Sequence, residues 1–331
     1  MTDLAAPAAR QAATMARVRA IKSRMALPAI AAPMFLVSGP ELVIEACKAG
    51  VIGAFPTLNA RPLEVLEQWF ERIGAELAEA ERVRPGSVAP WAANLIVHRS
   101  NTRLAADLEQ IVRHRAPIVI SALGSPAACL EAVHSYGGLV FADVSTVEFA
   151  RKAADAGADG LVLVAAGAGG HTGDLSAFAF VPAVREFFAG PIALGGGISS
   201  GRAVRAAEVL GADFAYLGTR FIATRESLAS ADYRQMLIEA ESRDIVKTPY
   251  FTGIPAHYLR QSIERAGLDP RELSKPNPVV NVDQEDKRSK AWKDIWSAGQ
   301  GVWATKSVQT TAELVAELAA GYAEAGGPAM R

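Results

Sequence analysis

The chain has almost no cysteine. Two thiols in 331 residues, Cys47 and Cys129, exclude a disulfide framework and any thiolate zinc site. Surplus charge is also missing: 34 Lys and Arg stand against 35 Asp and Glu, a formal net charge of −1. No global field is left for gripping nucleic acid or an acidic membrane. No apolar run reaches the ~20 residues that span a bilayer. The run from Met25 to Val37 follows a basic stretch (Arg10, Arg17, Arg19, Lys22, Arg24), as a signal peptide would. Pro28 and Pro33 interrupt it and no small-residue cleavage site follows, so it reads as a first buried strand. Half of the residues are hydrophobic, which argues against disorder. These absences together fit a reducing, cytoplasmic setting.

What the chain does have is repetition. Short apolar runs rich in β-branched residues alternate with amphipathic stretches, the mark of βα units and a parallel sheet. Eight strands are expected at Pro28–Pro33, Val51–Phe55, Trp91–Val97, Pro117–Ser121, Leu139–Ala142, Gly160–Ala165, Pro191–Leu194 and Phe214–Leu217. Between them, Leu63, Leu66, Phe70, Ile73 and Leu77 step by three or four along one helical face, as do Leu104, Leu108 and Ile111. Gly50, Gly137, Gly157 and Gly211 fall between helix and strand, where a left-handed helix end favours glycine. Gly-Ala-Asp occurs at 157–159 and again at 211–213, a spacing that fits two βα units of about 27 residues.

An open doubly wound sheet uses the same units. Eight strands without a long irregular crossover favour a TIM (β/α)₈ barrel over residues 28–225, preceded by a tail or helix at 1–27. The pattern breaks near Arg225. A helix over 226–243, several prolines and the charged run Asp283 to Lys293 suggest a smaller, mainly helical capping region at 226–304. An amphipathic helix within 305–331, carrying Leu314, Leu318 and Tyr322, returns to the barrel.

In such a barrel the chemistry sits on loops after the C-terminal strand ends. Four are unusual: Ala32-Pro33-Met34-Phe35 after strand one, Gly167 to Gly173 after strand six, Gly195 to Gly201 after strand seven, and Gly218-Thr219-Arg220 after strand eight. Glycine-rich turns that run into helix N-termini expose amides that bind phosphate, and loops seven and eight are the usual grip. Thr219 and Ser199 would add hydroxyls. The Gly167 loop lacks dinucleotide-fingerprint spacing, with Phe178 and Phe180 following where a helix should open, and no P-loop triplet occurs.

His171, in the sixth loop, has an imidazole that ordinarily titrates near neutrality and can act as a base. His98, His114 and His134 read as structural, the last two facing solvent from helices. No metal site is expected, since no second His or carboxylate stands at ligand spacing to His171. Cys47 and Cys129 read as small buried apolar residues.

Ala32-Pro33-Met34, Asn94 in strand three, Gly169-Gly170-His171-Thr172-Gly173, Gly195-Gly196-Gly197, Gly211-Ala212-Asp213, Leu217-Gly218-Thr219-Arg220-Phe221 and Trp296-Ser297-Ala298-Gly299-Gln300 occur in the order found in the nitronate monooxygenase family. The chain resembles that family from about residue 28 to 325. The resemblance implies non-covalent FMN at the C-terminal face of the barrel, its phosphate on Gly196, Gly197, Gly218 and Thr219. Met34 and Asn94 would flank the ring system, with Ala32, Pro33, Gly169, Gly170 and Gly195 close by. His171 would be the catalytic base, and Ser297 would reach flavin or substrate. Asp143 stands where the family places a Lys or a neutral residue near the flavin; turned outward, it would instead cap the helix that starts near Thr146.

The implied reaction is oxidation of an alkyl nitronate by O₂ to a carbonyl compound and nitrite. The same scaffold also serves NAD(P)H-dependent quinone or enoyl-thioester reductases. A phosphate-binding lyase or isomerase without flavin is the more distant alternative, disfavoured because no strand carries a Schiff-base lysine. The expected partners are a small-molecule substrate with O₂ or NAD(P)H. Neither nucleic acid nor membrane is among them, and a homodimer is compatible with the sequence.

Overall fold

The computed structural model describes residues 5–274 and 294–328; the charged run at 283–293 lies outside them. The strands are β1 (Ala29–Ala31), β2 (Ile52–Pro56), β3 (Trp91–Ile96), β4 (Ile118–Ala122), β5 (Leu139–Val144), β6 (Gly160–Val164), a two-residue β7 (Gly170–His171), β8 (Ile192–Gly195) and β9 (Phe214–Leu217). All but β7 form a closed parallel barrel, in which β9 pairs back onto β1 with Ile30 opposite Tyr216. This is the (β/α)₈ barrel. Each expected strand is present with its ends no more than two residues from those expected.

Alternation along the strands divides the core. Ile30, Ile52, Ala54, Ala92, Ile118, Ile120, Leu139, Phe141, Val162, Ala193 and Phe214 join one buried cluster drawn from every barrel strand. Residues contributed by all eight strands can meet only inside the barrel. Their neighbours Phe55, Ala93, Leu95, Val119 and Val140 pack outward with Leu66, Phe70, Ile73 and Leu77 of helix Leu63–Val83. Continuing the same parity upward, Asn94, Asp143, Val164, Gly195 and Tyr216 face inward at the C-terminal end, and this layer floors the barrel mouth.

The opposite end is closed by the N-terminal helix, Ala5–Lys22, whose Val18 and Ile21 join the interior cluster together with Met25 just beyond it. The basic stretch therefore belongs to a helix that stoppers the barrel. The two Gly-Ala-Asp tripeptides act alike at this end. Asp159 accepts the Val140 amide at 2.8 Å and Asp213 the Ile192 amide at 2.9 Å. Each is also held by an arginine, Arg10 at 2.9 Å and Arg185 at 2.7 Å. In both repeats the aspartate satisfies a strand amide that would otherwise be buried without a partner. His134, expected to face solvent, joins this network with Nε2 2.8 Å from the accepting Asp159 Oδ2. His114 lies 5.5 Å from Phe70, ring to ring.

After β9 the chain differs from expectation. The helix is shorter, Ala231–Glu239, because the Ser230 side chain caps it at the Tyr233 amide and Ala240 is extended. Beyond it, β10 (Ile245–Thr248) and β11 (Ala256–Leu259) pair antiparallel, and β11 also pairs with β7. The capping region thus contains a small sheet that recruits the sixth barrel loop, and does not rest on helices alone. Helix Thr311–Glu324 packs Leu314, Leu318 and Tyr322 against β1 and β9 residues. Among the described residues, no helix is long and apolar enough to cross a membrane.

Candidate active site

Loops seven and eight meet as the sequence suggests. Gly196 and Gly197 have φ of 137° and 67°, values that glycine adopts without steric cost. No described residue accepts a hydrogen bond from the amides of Gly196, Gly197, Ile198 or Ser199. A Cβ built on Gly197 would meet nothing within 4 Å, so open space lies beside this turn at Gly197. Arg220 is buried and ties the two loops together. Its guanidinium donates to the Ser199 carbonyl at 2.7 Å and pairs with Glu317 at 2.8 Å. Thr219 Oγ1 accepts the Gly299 amide at 2.9 Å, which leaves its own proton to donate elsewhere.

The first loop reaches the same place. A Cβ on Gly218 would lie 3.5 Å from Met34 Sδ and 4.0 Å from Ala32 Cβ, so Ala32, Pro33 and Met34 border the eighth loop. Met34 is held from both sides: its amide donates to Ser38 Oγ and its carbonyl accepts from Asn59 Nδ2. The buried Asn94 donates Nδ2 to the Ile120 carbonyl at 3.0 Å, which fixes its carboxamide at the top of β3.

The sixth loop and the C-terminal segment touch backbone to backbone. A Cβ on Gly169 would fall 2.7 Å from the Gly299 amide nitrogen, and one on Gly299 would fall 2.7 Å from the Gly167 carbonyl. The Gln300 amide donates to that same carbonyl at 3.0 Å. Only glycine permits such an approach, which explains two Gly-rich motifs 130 residues apart in sequence. Ser297 is carried across on this segment. Its carbonyl accepts from the Tyr233 hydroxyl at 2.5 Å and its amide donates to the same oxygen at 3.1 Å. Tyr233 also stacks on Trp296, with ring centroids 4.8 Å apart. Ser297 Oγ is buried with no hydrogen-bond partner among the described residues.

His171 stands on β7, opposite Ala256. Its Nε2 lies 3.2 Å from Thr252 Oγ1, whose own proton goes to the Ile254 carbonyl at 2.9 Å. Burial pushes this imidazole down to about 4, so it does not titrate near neutrality as its residue type suggests; desolvation disfavours the cation. No hydrogen bond joins His171 to Ser297.

Asp143 does not turn outward. Thr146 caps the following helix itself, its Oγ1 accepting the Phe149 amide at 3.1 Å. The Asp143 carboxyl points into the barrel, and burial pushes it up to about 7. The sixth loop also diverges from expectation: Phe178 and Phe180 lie in helix Ala177–Arg185, which opens only after the detour through β7.

Sequence reasoning missed three residues. His257 is buried, faces Gly170 across the small sheet, and its Nδ1 lies 2.7 Å from the Ala168 carbonyl. Tyr233 clasps Ser297, and Tyr216 floors the mouth beside Gly195. Apolar alternation in Ala256-His257-Tyr258-Leu259 was the available signal for the first.

Unaccepted amides in the seventh loop, a buried imidazole in the sixth and the C-terminal segment crossing between them meet at one mouth of the (β/α)₈ barrel. The chain belongs to the nitronate monooxygenase family, whose model matches residues 20–321. It is accordingly a flavin-dependent oxidoreductase. A Mycobacterium tuberculosis protein described as a monooxygenase is 35% identical over 155 residues, 46% of this chain and 41% of that one; the chain thus spans less than half the length of that relative in the match. A nitronate monooxygenase of Paraburkholderia phytofirmans is 26% identical over 338 residues, covering 88% of this chain and 91% of its own. Among solved structures, a nitroalkane oxidase of Streptomyces ansochromogenes superposes with a TM-score of 0.78 at 24% identity, over 93% of this chain and 99% of its own. At that identity the likeness speaks for the fold.

Proposed function

We propose that the protein oxidises alkyl nitronates with O₂, giving a carbonyl compound and nitrite. The observation that carries this reading is the pairing of a phosphate cradle with an uncharged base in the same barrel mouth, in a chain of this family. The residues fit FMN: Gly196, Gly197, Gly218 and Thr219 offer amides and a hydroxyl around the open space at Gly197, as a terminal phosphate requires. Met34 and Asn94 would border the ring system, with Ala32, Pro33, Gly169, Gly170 and Gly195 shaping the walls. When bound, FMN supplies the electron transfer, and the protein supplies orientation and electrostatics.

His171 takes the α-proton of a neutral nitroalkane or holds a nitronate in place. A conjugate acid near 4 stands about 2.5 units below the ordinary imidazole, worth about 3 kcal/mol against holding a proton. That cost favours substrates that arrive already deprotonated, and so favours nitronates over nitroalkanes. Ser297 Oγ, buried without a partner, is a donor for the ligand, and its backbone clasp on Tyr233 keeps it in place. The small-molecule substrate reaches these groups beneath the cap formed by β10, β11 and the 294–304 segment.

The test is anaerobic mixing. Pre-formed ethylnitronate should change the flavin absorbance of the holoenzyme, while NADH should leave it oxidised. Rapid bleaching by NADH with no response to nitronate would replace this reading with a reductase on the same scaffold.

A further inference from the structure

The turn that joins β10 to β11, residues 249–255, lies against the sixth barrel loop. Its last residue holds the backbone on one side of His171, where the Pro255 carbonyl accepts the Thr172 amide at 3.1 Å. On the other side, β7 pairs Gly170 with His257, whose Nδ1 lies 2.7 Å from the accepting Ala168 carbonyl. The main chain of His171 is thus held from both directions. None of these bonds sets the direction of its ring. An imidazole turns about a broad sp³–sp² torsion, and Ala256, opposite His171 in register, has no polar side-chain atom to hold it.

Thr252 supplies that atom. It stands in the same turn, just before Gly253 with its φ of 74°, and its Oγ1 lies 3.2 Å from His171 Nε2. The hydroxyl is itself pinned. It donates to the Ile254 carbonyl at 2.9 Å and shares a hydrogen bond with the buried Tyr258. Tyr258 in turn packs edge-on against Phe251, ring centroids 4.8 Å apart, in the apolar cluster of the cap with Ile263 and Leu273. A catalytic imidazole often leans on a carboxylate, which orients the ring and also favours its cation. Asp174, three residues along the loop, is paired with Lys247 of β10. A hydroxyl orients the ring without stabilising the cation, in keeping with an imidazole that burial pushes down to about 4.

We propose that Thr252 is a positioning residue for the base: through this one hydroxyl the cap sets the plane of the His171 ring. The cap then does more than cover the mouth, because the base is fully oriented only when the β10–β11 turn lies against the sixth loop. The effect on turnover rests on the reading of His171 as the base; the effect on the ring does not.

The test uses the FMN-loaded full-length protein with ¹⁵N-labelled histidine. Long-range ¹H–¹⁵N spectra report the ring nitrogens, and His171→Asn assigns the His171 signals. Thr252→Val keeps the branched shape and removes the hydroxyl, while the bonds at Pro255 and His257 keep the backbone in place. Its His171 ring signals should move, those of the other histidines should stay, and Thr252→Ser should restore the wild-type positions. Tyr258→Phe, one bond further back, should move the same signals less. With neutral nitroethane, Thr252→Val should lose about 10- to 100-fold, the cost of misplacing a reacting group by about 1 Å. The loss should fall on kcat rather than KM, and Thr252→Ser should recover most of it. Pre-formed ethylnitronate, which has already given up its α-proton, should lose far less. Unmoved His171 signals in Thr252→Val, or a loss of rate that Thr252→Ser does not recover, would overturn the positioning role. Moved signals with no loss on nitroethane would uphold that role and remove His171 from the reaction proposed above.

Discussion

Replacing Gly197 with aspartate places a negative charge at the mouth of the amide cradle. The site tolerates the added atoms: a Cβ meets nothing within 4 Å, and the φ of 67° is one that Asp adopts more readily than most residues. The steric and backbone cost is therefore about 1 kcal/mol, and the fold should persist. The electrostatic cost is larger. A carboxylate about 5 Å from a phosphate carrying about −1.5 to −2 charges loses about 1–2 kcal/mol in a fully wet site and about 5–7 kcal/mol at the effective dielectric of a partly buried one. FMN affinity should fall at least fivefold, and by more than 10³-fold if the cradle is dry. Gly197→Ala is the control, carrying the same backbone strain without the charge. The assay is FMN per protein from the visible and ultraviolet absorbance after dialysis, with circular dichroism to show that the barrel remains. Equal FMN retention by both variants would place the phosphate elsewhere and refute the cradle.

Three further outcomes follow from the same geometry. His171→Asn should retain FMN, yet lose about 10²–10⁴ in turnover of a neutral nitroalkane, the range for removing a positioned base, and lose less on pre-formed nitronate; equal rates on both substrates would make His171 structural. Asp159→Asn, at the closed end of the barrel, should lower stability by about 2–4 kcal/mol by disrupting the acceptor shared by Arg10, His134 and the Val140 amide, leaving FMN content per folded molecule unchanged. The raised pKa of Asp143 makes its contribution to stability fall as pH rises from about 4 to about 7, while the lowered pKa of His171 makes its contribution rise over about 4 to 6.5. The two slopes oppose each other, so between pH 4 and 6.5 Asp143→Asn should gain about 3 kcal/mol and His171→Asn lose about 3 kcal/mol relative to the wild type, measured from urea midpoints.

Much of this fold was legible because parallel barrel strands are buried on both faces and stand out as short apolar runs. The same property hid the orientation of Asp143. When both faces of β5 are apolar, the sequence does not say whether Leu139, Phe141 and Asp143 or the alternate residues face inward, and only closure of the barrel decides. The repeated Gly-Ala-Asp was visible as a repeat, but the partners of its aspartates, Val140 and Ile192, are strand amides that no motif records. β7 escaped notice because Gly170 and His171 have no strand propensity of their own; their pairing with Ala256 and His257 comes from a tertiary contact across more than eighty residues. The glycine loops were readable for the opposite reason. Close backbone approach, as between Gly169 and Gly299, can be met by one residue type alone, so the requirement is written directly in the sequence.

Oxidation of nitronates by O₂ in an FMN-loaded barrel mouth couples oxygen consumption to nitrite release, and both are followed together when pre-formed ethylnitronate is added to the FMN-loaded protein in air. Oxygen uptake accompanied by nitrite, abolished in Gly197→Asp and restored with bound FMN in Gly197→Ala, is the predicted result. A colourless protein that takes up no added FMN, or a flavin-loaded one that consumes oxygen without forming nitrite, would contradict it.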